Sequence, residues 1–397
     1  MFWPRYFFVL IGALVILPGC SGGDKSDTDS GGSNDTDADT DTDSDTDTDE
    51  TGDTETALGP QWDCDQEFLA EGLADEDGVN TLVLDSETAV TNFCTAYNKV
   101  DGALRVELGA ESDSIMTLDG IACLCEVTGD FEIFYLGYED SSAGGGGGQA
   151  GPPPPHASLD LELDNLRKVG GDFRVHHVPG ITSIEGVYQL EEVVGDLLLD
   201  TNPLVASVVM DSLVRVGGEI AFDHLENLQA FSAPRLETVG GFRLGDWESG
   251  SWHGQFQFLG LGALTGVGEN FLISAVPVLE TLEAESLASV AGAFHLEAGC
   301  QVSLDFPQLA SVGSLQILGV CGLEDFSGLP ALSEITGEHE GFSLHVSHNN
   351  EINAQEIEEF SASLNIQGAS LLQPGETAGC DEFLLGKYGR DPADLCL

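Results

Sequence analysis

One pattern dominates the chain. A Val or Ile, a glycine-bearing turn and a short apolar-x-apolar strand recur ten times, anchored at Val100, Val127, Val169, Val193, Val216, Val239, Val267, Val290, Val312 and Ile335. The anchors are separated by 27, 42, 24, 23, 23, 28, 23, 22 and 23 residues, and nine of the ten carry Leu three residues earlier, from Leu124 to Leu332. A unit of about 23 residues with one short strand cannot bury its own apolar face and must stack on copies of itself. Within the strands alternation turns Phe173 and Val175 inward and Arg174 and His176 outward, and it does the same for Leu197 and Leu199 around Leu198. The fold expected is mainly β: a right-handed parallel β solenoid of about ten rungs of 22–28 residues over residues 100–352. The 50 Gly and 3 Met fit a turn-rich chain rather than a helical bundle.

Ends and insertions interrupt the repeat. Residues 60–99 form an expected disulfide-stapled N-terminal cap, and residues 353–397 a C-terminal cap and disulfide tail. Asn353 with Glu356 reads as a helix N-cap pair, and Ile357, Phe360 and Leu364 fall on one helical face, predicting a short helix over the last rung. The 42-residue gap holds a Gly/Pro-rich stretch at 144–155, read as a flexible insert over 139–157. The 28-residue gap holds Trp247, Trp252 and His253. Exposed tryptophans stack on sugars and anchor interfaces, so this loop is a candidate ligand contact.

The first residues form an address. Arg5, the apolar run from Phe7 to Leu17 and Leu17-Pro18-Gly19-Cys20 resemble a bacterial lipoprotein signal with its lipobox. The resemblance implies removal of residues 1–19 and acylation of Cys20, with Ser21 directing the protein to the outer membrane. The membrane is then met through a lipid anchor only, on the surface or the periplasmic side of a bacterial envelope. Residues 20–59 follow as a disordered stalk: 24–55 contain 14 acids, one Lys and nothing apolar larger than Ala38. Over the whole chain 69 acids oppose 12 Lys and Arg, a formal charge of −57 that repels nucleic acid.

Cysteine usage agrees with an oxidising compartment. Nine cysteines less Cys20 leave eight, an even set. Cys300 and Cys321 lie six residues after equivalent strand residues of adjacent rungs, close enough in Cα spacing for a bridge. Cys380 then pairs with Cys396, while Cys123 and Cys125 pair with Cys64 and Cys94 in an order left open.

The motif L-x-x-V-x-G-x-L-x-I, with leucine-rich-repeat-like pieces such as Leu197-x-Leu199-x-x-Asn202, is similar to the receptor L domain, the ligand-binding lobe of insulin and epidermal-growth-factor receptors. The resemblance spans roughly 90–370 and implies a fold, not a ligand. Stacking gives two outward columns, one running from Arg105 through Arg174, Arg243 and His295 to Ser343, the other from Glu107 through His176, Asp200 and Asp223 to His345. Arg174 and Arg243 join the tryptophan loop as candidate ligand contacts. Asp200 and Asp223, one rung apart, raise the alternative of a carbohydrate-active solenoid enzyme. His339, His345 and His348 match no zinc spacing and are expected at the surface. No nucleophile elbow, phosphate loop or metalloprotease motif occurs, so no catalytic residue, metal or cofactor is expected. The function expected is non-catalytic recognition or adhesion, with an unknown protein or polysaccharide as partner; the other alternative is a structural envelope component.

Overall fold

The computed structural model describes residues 64–66, 68–74, 80–109, 115, 117–136, 159–245, 253–297, 304–320, 322–349 and 352–373. These residues build a parallel β solenoid. All ten anchors stack in register, from Lys99↔Glu126 and Val100↔Val127 to Ser311↔Glu334 and Val312↔Ile335. The strand after each glycine turn stacks likewise, so Leu104, Phe131, Phe173, Leu197, Ile220, Phe242, Phe271, Phe294, Leu315 and Leu344 form one fully buried internal ladder. Neighbouring phenylalanines stack within it, Phe131 on Phe173 and Phe242 on Phe271, each with ring centroids 5.1 Å apart. A second, narrower parallel sheet closes the other side of the core with Ser207–Val209, Ala230–Ser232, Phe258–Gly260 and Thr281–Glu283.

One more rung continues the stack at each end. Leu69–Glu71 and Asn80–Leu84 pair in parallel with the Val100 rung, so the N-terminal cap is itself part of the solenoid. Helix α1 (Glu87–Phe93), capped by Ser86, follows it and buries Val90 and Phe93. Two disulfides staple this end, Cys64 to Cys125 and Cys94 to Cys123. At the other end helix α2 (Ala354–Ser363) begins with the reciprocal Asn353–Glu356 capping box, buries Ile357 and stacks Phe360 on Phe326 with centroids 4.0 Å apart. The helix does not end the stack. Asn365–Ile366 and Ser370–Leu372 return to the sheet and pair with the Ile335 rung, because the chain beyond Ser363 still carries alternating apolar residues that the open edge can accept. Residues 139–157, the tryptophan pair, Cys20, Cys300, Cys321, Cys380 and Cys396 lie outside the described residues.

The glycine turn is held by a side-chain ladder. The Asp130 carboxylate accepts from the Asp172 amide (2.9 Å), Asp172 from Asp196 (2.8 Å) and Asp196 from Glu219 (2.8 Å), and Asn270 does the same for Ala293 (2.8 Å). The glycine two residues after the anchor of each following turn makes room for that oxygen: a Cβ on Gly171, Gly195, Gly218 or Gly292 would overlap the preceding rung's carboxylate or amide. A further ladder runs outside the anchors, where Lys99, Glu126, Lys168, Glu192 and Arg215 alternate in sign on successive rungs. Lys99 pairs with Glu126 and Lys168 with Glu192, both at 2.8 Å.

At the far end of the main sheet the chain leaves six rungs through a left-handed residue. His177, Thr201, His224, Ala275 and His348 have φ between 51° and 61°, and Gly319 has 63°. They follow the paired positions His176, Asp200, Asp223, Ser274, Ser347 and Leu318, so the corner repeats in register. Five residues with a Cβ in that region each cost roughly 1 kcal/mol or more, which the hydrogen bonds at the corner, such as the His177 amide to the Asp200 carbonyl (2.9 Å), offset.

Substituting Gly195→Ala is expected to destabilise the protein by about 1–3 kcal/mol, and Asp172→Ala by about 1–2 kcal/mol for the orphaned Asp196 amide. The double variant should lose less than the sum in a denaturant titration, since removing the carboxylate relieves the closest overlap and leaves only that with the Gly171 backbone; strict additivity would refute the coupling. Gly266→Ala, whose Cβ would meet only the Ser289 hydroxyl, serves as the tolerated control.

Candidate binding face

Side chains that alternate away from the core fall into straight outward columns about one strand spacing apart. In the N-terminal half these columns carry linked polar and aromatic groups, interrupted by Leu198 and the buried Ala221. Arg105 Nε donates to Glu132 Oε2 at 2.8 Å, and its guanidinium lies 5.3 Å above the Phe134 ring. The His176 imidazole stacks on Phe134 with ring centroids 5.5 Å apart and an interplanar angle of 12°. His176 Nε2 sits 3.0 Å from Glu132 Oε1 and its Nδ1 3.1 Å from Nδ1 of His177. With the His176 proton on Nε2 facing the carboxylate, Nδ1 accepts from His177. The His176 hydrogen bond, aided by Arg105, holds the Glu132 carboxyl below its ordinary range against the opposing effect of burial.

The next rungs continue the pattern. Asp200 and Asp223 are in register on adjacent strands, but each is engaged. Asp200 accepts from Thr201 Oγ1 (2.9 Å) and lies 3.2 Å from His224 Nδ1; Asp223 accepts from Arg243 Nη1 at 2.7 Å. Arg243 also reaches Glu219 at 3.4 Å, where burial raises the carboxyl and Arg243 counters it. Arg174 is paired with Asp172. Both arginines singled out in the sequence thus belong to ion-paired surface networks.

Toward the C-terminal end the same columns become buried. Gln316 is 0% and Glu297 1% exposed, and His295 Nε2 lies 3.1 Å from Glu297 Oε2. The register here differs from the sequence expectation: His345, not Ser343, follows Gln316, and Ser347, not His345, follows Leu318. The cause is a hairpin insert in which His339 and Phe342 exchange backbone hydrogen bonds of 2.9 and 3.0 Å, lengthening the turn after Ile335 so that Leu344 rather than Phe342 points inward. The three histidines expected at the surface are half-buried. The His339 carbonyl accepts from Gln316 Nε2 (2.8 Å), and Ser347 Oγ lies 3.1 Å from His345 Nε2 and 3.0 Å from His348 Nδ1. Burial first, then the neighbouring histidines, pushes His345 below its ordinary value; His339 shifts the same way, also chiefly through burial. Among the described residues no group of three or more His, Cys, Asp or Glu is placed to hold a metal ion.

His253, expected as a ligand contact, is 0% exposed and serves the scaffold instead. Its Nε2 lies 3.1 Å from the Phe222 carbonyl and its Nδ1 3.2 Å from that of Leu225. Two asparagines fill the equivalent slot on other rungs. Asn202 donates to the Val175 carbonyl (2.8 Å) and accepts from the Val178 amide (3.0 Å), and Asn349 does so for Ile317 (3.0 Å) and Val320 (2.8 Å). Within the 28-residue spacing the chain therefore places a polar residue in the asparagine slot. Nothing in the local sequence around Trp252 signals this, because the slot exists only once the rungs are stacked. Compared with protein-family models, curated proteins and solved structures, the chain matches none.

Burial holds His253 below the ordinary histidine value of about 6.5. The folded state therefore keeps a neutral ring while the unfolded chain binds the proton first, so this residue's contribution to stability is lost as pH falls below about 6.5. His253→Asn, which supplies the slot's usual amide, is expected to fold and to flatten the decline in unfolding midpoint between about pH 7 and 5 relative to the unsubstituted protein. An unchanged decline would show that other groups carry it.

Proposed function

We propose that the chain is a lipid-anchored bacterial envelope protein that binds a protein or glycan partner reversibly, without catalysis, through the outward face of an L-domain-like solenoid. One observation carries this reading most: the Arg105–Glu132–His176–Phe134 network presents charge and aromatic surface together on successive rungs of a rigid sheet. Groups fixed by stacking lose little entropy on association, and arginine and aromatic side chains supply most interface energy. The leader, Cys20 and the acidic stretch ahead of Cys64 support an anchored, outward-held module. The asparagine slot repeated at Asn202 and Asn349 supports kinship with leucine-rich-repeat-like folds.

The enzyme alternative draws on Asp200 and Asp223. Their contacts favour binding, since His224 and Arg243 already occupy carboxylates that a glycosidase would need for proton transfer or attack.

Four measurements test the proposal. In a bacterial host, Cys20→Ala is expected to abolish incorporation of radiolabelled palmitate and release the protein from the membrane fraction; retained labelling would overturn the anchor. Protease treatment of intact cells, with a periplasmic control, should remove the solenoid if its partner is external. On panels of polysaccharides and extracellular proteins, Arg105→Ala with His176→Ala should weaken any saturable binding by about tenfold or more. Binding that survives the double variant would move the site off this face. Polysaccharide cleavage lost in Asp200→Asn with Asp223→Asn would establish the enzyme instead.

A further inference from the structure

A cleft opens beneath the Cys64–Cys125 disulfide, on the strand before the glycine turn rather than on the outward columns after it. Its cavity volume is about 100 Å³, and it is lined by Lys99, Arg167 and Lys168 against a single carboxylate, Glu126. In a chain with 12 Lys and Arg against 69 acids, three cations in one small concavity are a local reversal of charge. The reversal follows from the alternating ladder: Lys99 and Lys168 sit either side of Glu126, while Glu192, the partner of Lys168, lies one rung further on. Arg167 adds a guanidinium that, among the described residues, has no carboxylate partner. The arrangement is held in place before any ligand arrives. The Arg167 amide donates to the Cys125 carbonyl at 2.9 Å, and its own carbonyl accepts from the Glu191 amide at 2.8 Å. The disulfide fixes Cys125 from the other side. Glu192 holds the Lys168 ammonium above its ordinary range, so it stays charged at neutral pH.

We propose that this cleft binds an oxyanion, a carboxylate, sulfate or phosphate group, carried by a small acidic ligand. A guanidinium and two ammonium groups can donate to such a group from separate directions, and charge-assisted hydrogen bonds are the stronger kind. The rest of the protein's negative charge opposes the ligand only weakly, because charges more than about 8–10 Å away are screened at ordinary ionic strength. A cavity this small, below the roughly 300–1,000 Å³ of sites that enclose a whole small molecule, suits a single oxyanion group, with the rest of its carrier outside. The site is separate from the outward face and stands or falls independently of it.

The test uses the disulfide-intact protein at constant ionic strength, titrated with inorganic sulfate, inorganic phosphate and an oligogalacturonate. Saturable binding is expected, with the amides of Cys125, Arg167 and Lys168 shifting most in an NMR titration of the unsubstituted chain. Saturation by the inorganic ions assigns a free oxyanion, whereas saturation by the saccharide alone assigns a sugar-borne carboxylate. Arg167→Ala with Lys168→Ala should weaken binding by about tenfold or more, as losing two charged contacts implies. Arg215→Ala with Arg235→Ala, which removes equal charge outside the cleft, should leave it unchanged. Non-saturable titrations, shifts centred elsewhere, or equal weakening in both pairs of variants would overturn the proposal.

Discussion

The contact between one rung and the next at the glycine turn sets the geometry that everything else uses. A parallel sheet supplies backbone hydrogen bonds along each strand, but at the turn the chain bends and an amide is left facing the neighbouring rung. Asp130, Asp172, Asp196 and Asn270 fill that need from below, and Gly171, Gly195, Gly218 and Gly292 leave the space for them. A carboxylate bonded to a backbone amide is worth more than a neutral pair, and an unfilled amide in the same place would cost a comparable amount. The repeat Gly-Asp-apolar is therefore one device in which the glycine and the acid belong to consecutive rungs.

With register fixed at the turn, everything beyond it lines up. The phenylalanine ladder stacks inside, and the outward residues form columns whose members are chosen by position in the repeat. The left-handed corner falls at the same place on six rungs, and on two of them the next residue, Asn202 or Asn349, meets one carbonyl and one amide of the rung before. Asn202 and Asn349 satisfy those groups directly. His253 does so with an imidazole whose two nitrogens both face carbonyls, an arrangement in which the neutral ring donates to only one at a time. That slot couples the interior of the solenoid to pH, as His339 and His345 at the C-terminal end do in the same direction.

Charge is organised by the same stacking. The chain is strongly acidic, yet like charges placed on adjacent rungs would sit about one strand spacing apart and repel. The ladder Lys99, Glu126, Lys168, Glu192 and Arg215 avoids this by alternation. On the outward face Glu132, Asp200 and Asp223 each meet Arg105, His176, His224 or Arg243. Individually these exposed pairs contribute about 0–1 kcal/mol. Their larger effect is to fix the side chains of a surface suited to recognition, and to leave one cationic cleft where the ladder meets the N-terminal disulfides.

The anchors, their spacing and the alternation within each strand were enough to predict a stacked parallel solenoid, because a short amphipathic unit has no other way to cover its apolar side. The Asn353–Glu356 capping box and the pairing of Cys123 and Cys125 with Cys64 and Cys94 were legible for similarly local reasons: a cap spans one helical turn, and two cysteines two apart in an extended segment reach separate partners. The order of those disulfides, the added rung at either end, the shift that places His345 beside Gln316 and the burial of His253 were not. Each depends on contacts between residues more than twenty positions apart. A hairpin insert of a few residues shifts the last rung's place in both columns without changing the periodic pattern that the sequence carries. The cationic cleft belongs to the same class. The residues Lys99, Glu126 and Lys168 can be read one by one before their valines, but only the parallel register, with Arg167 beside it and the disulfide across it, brings three positive charges to one concavity.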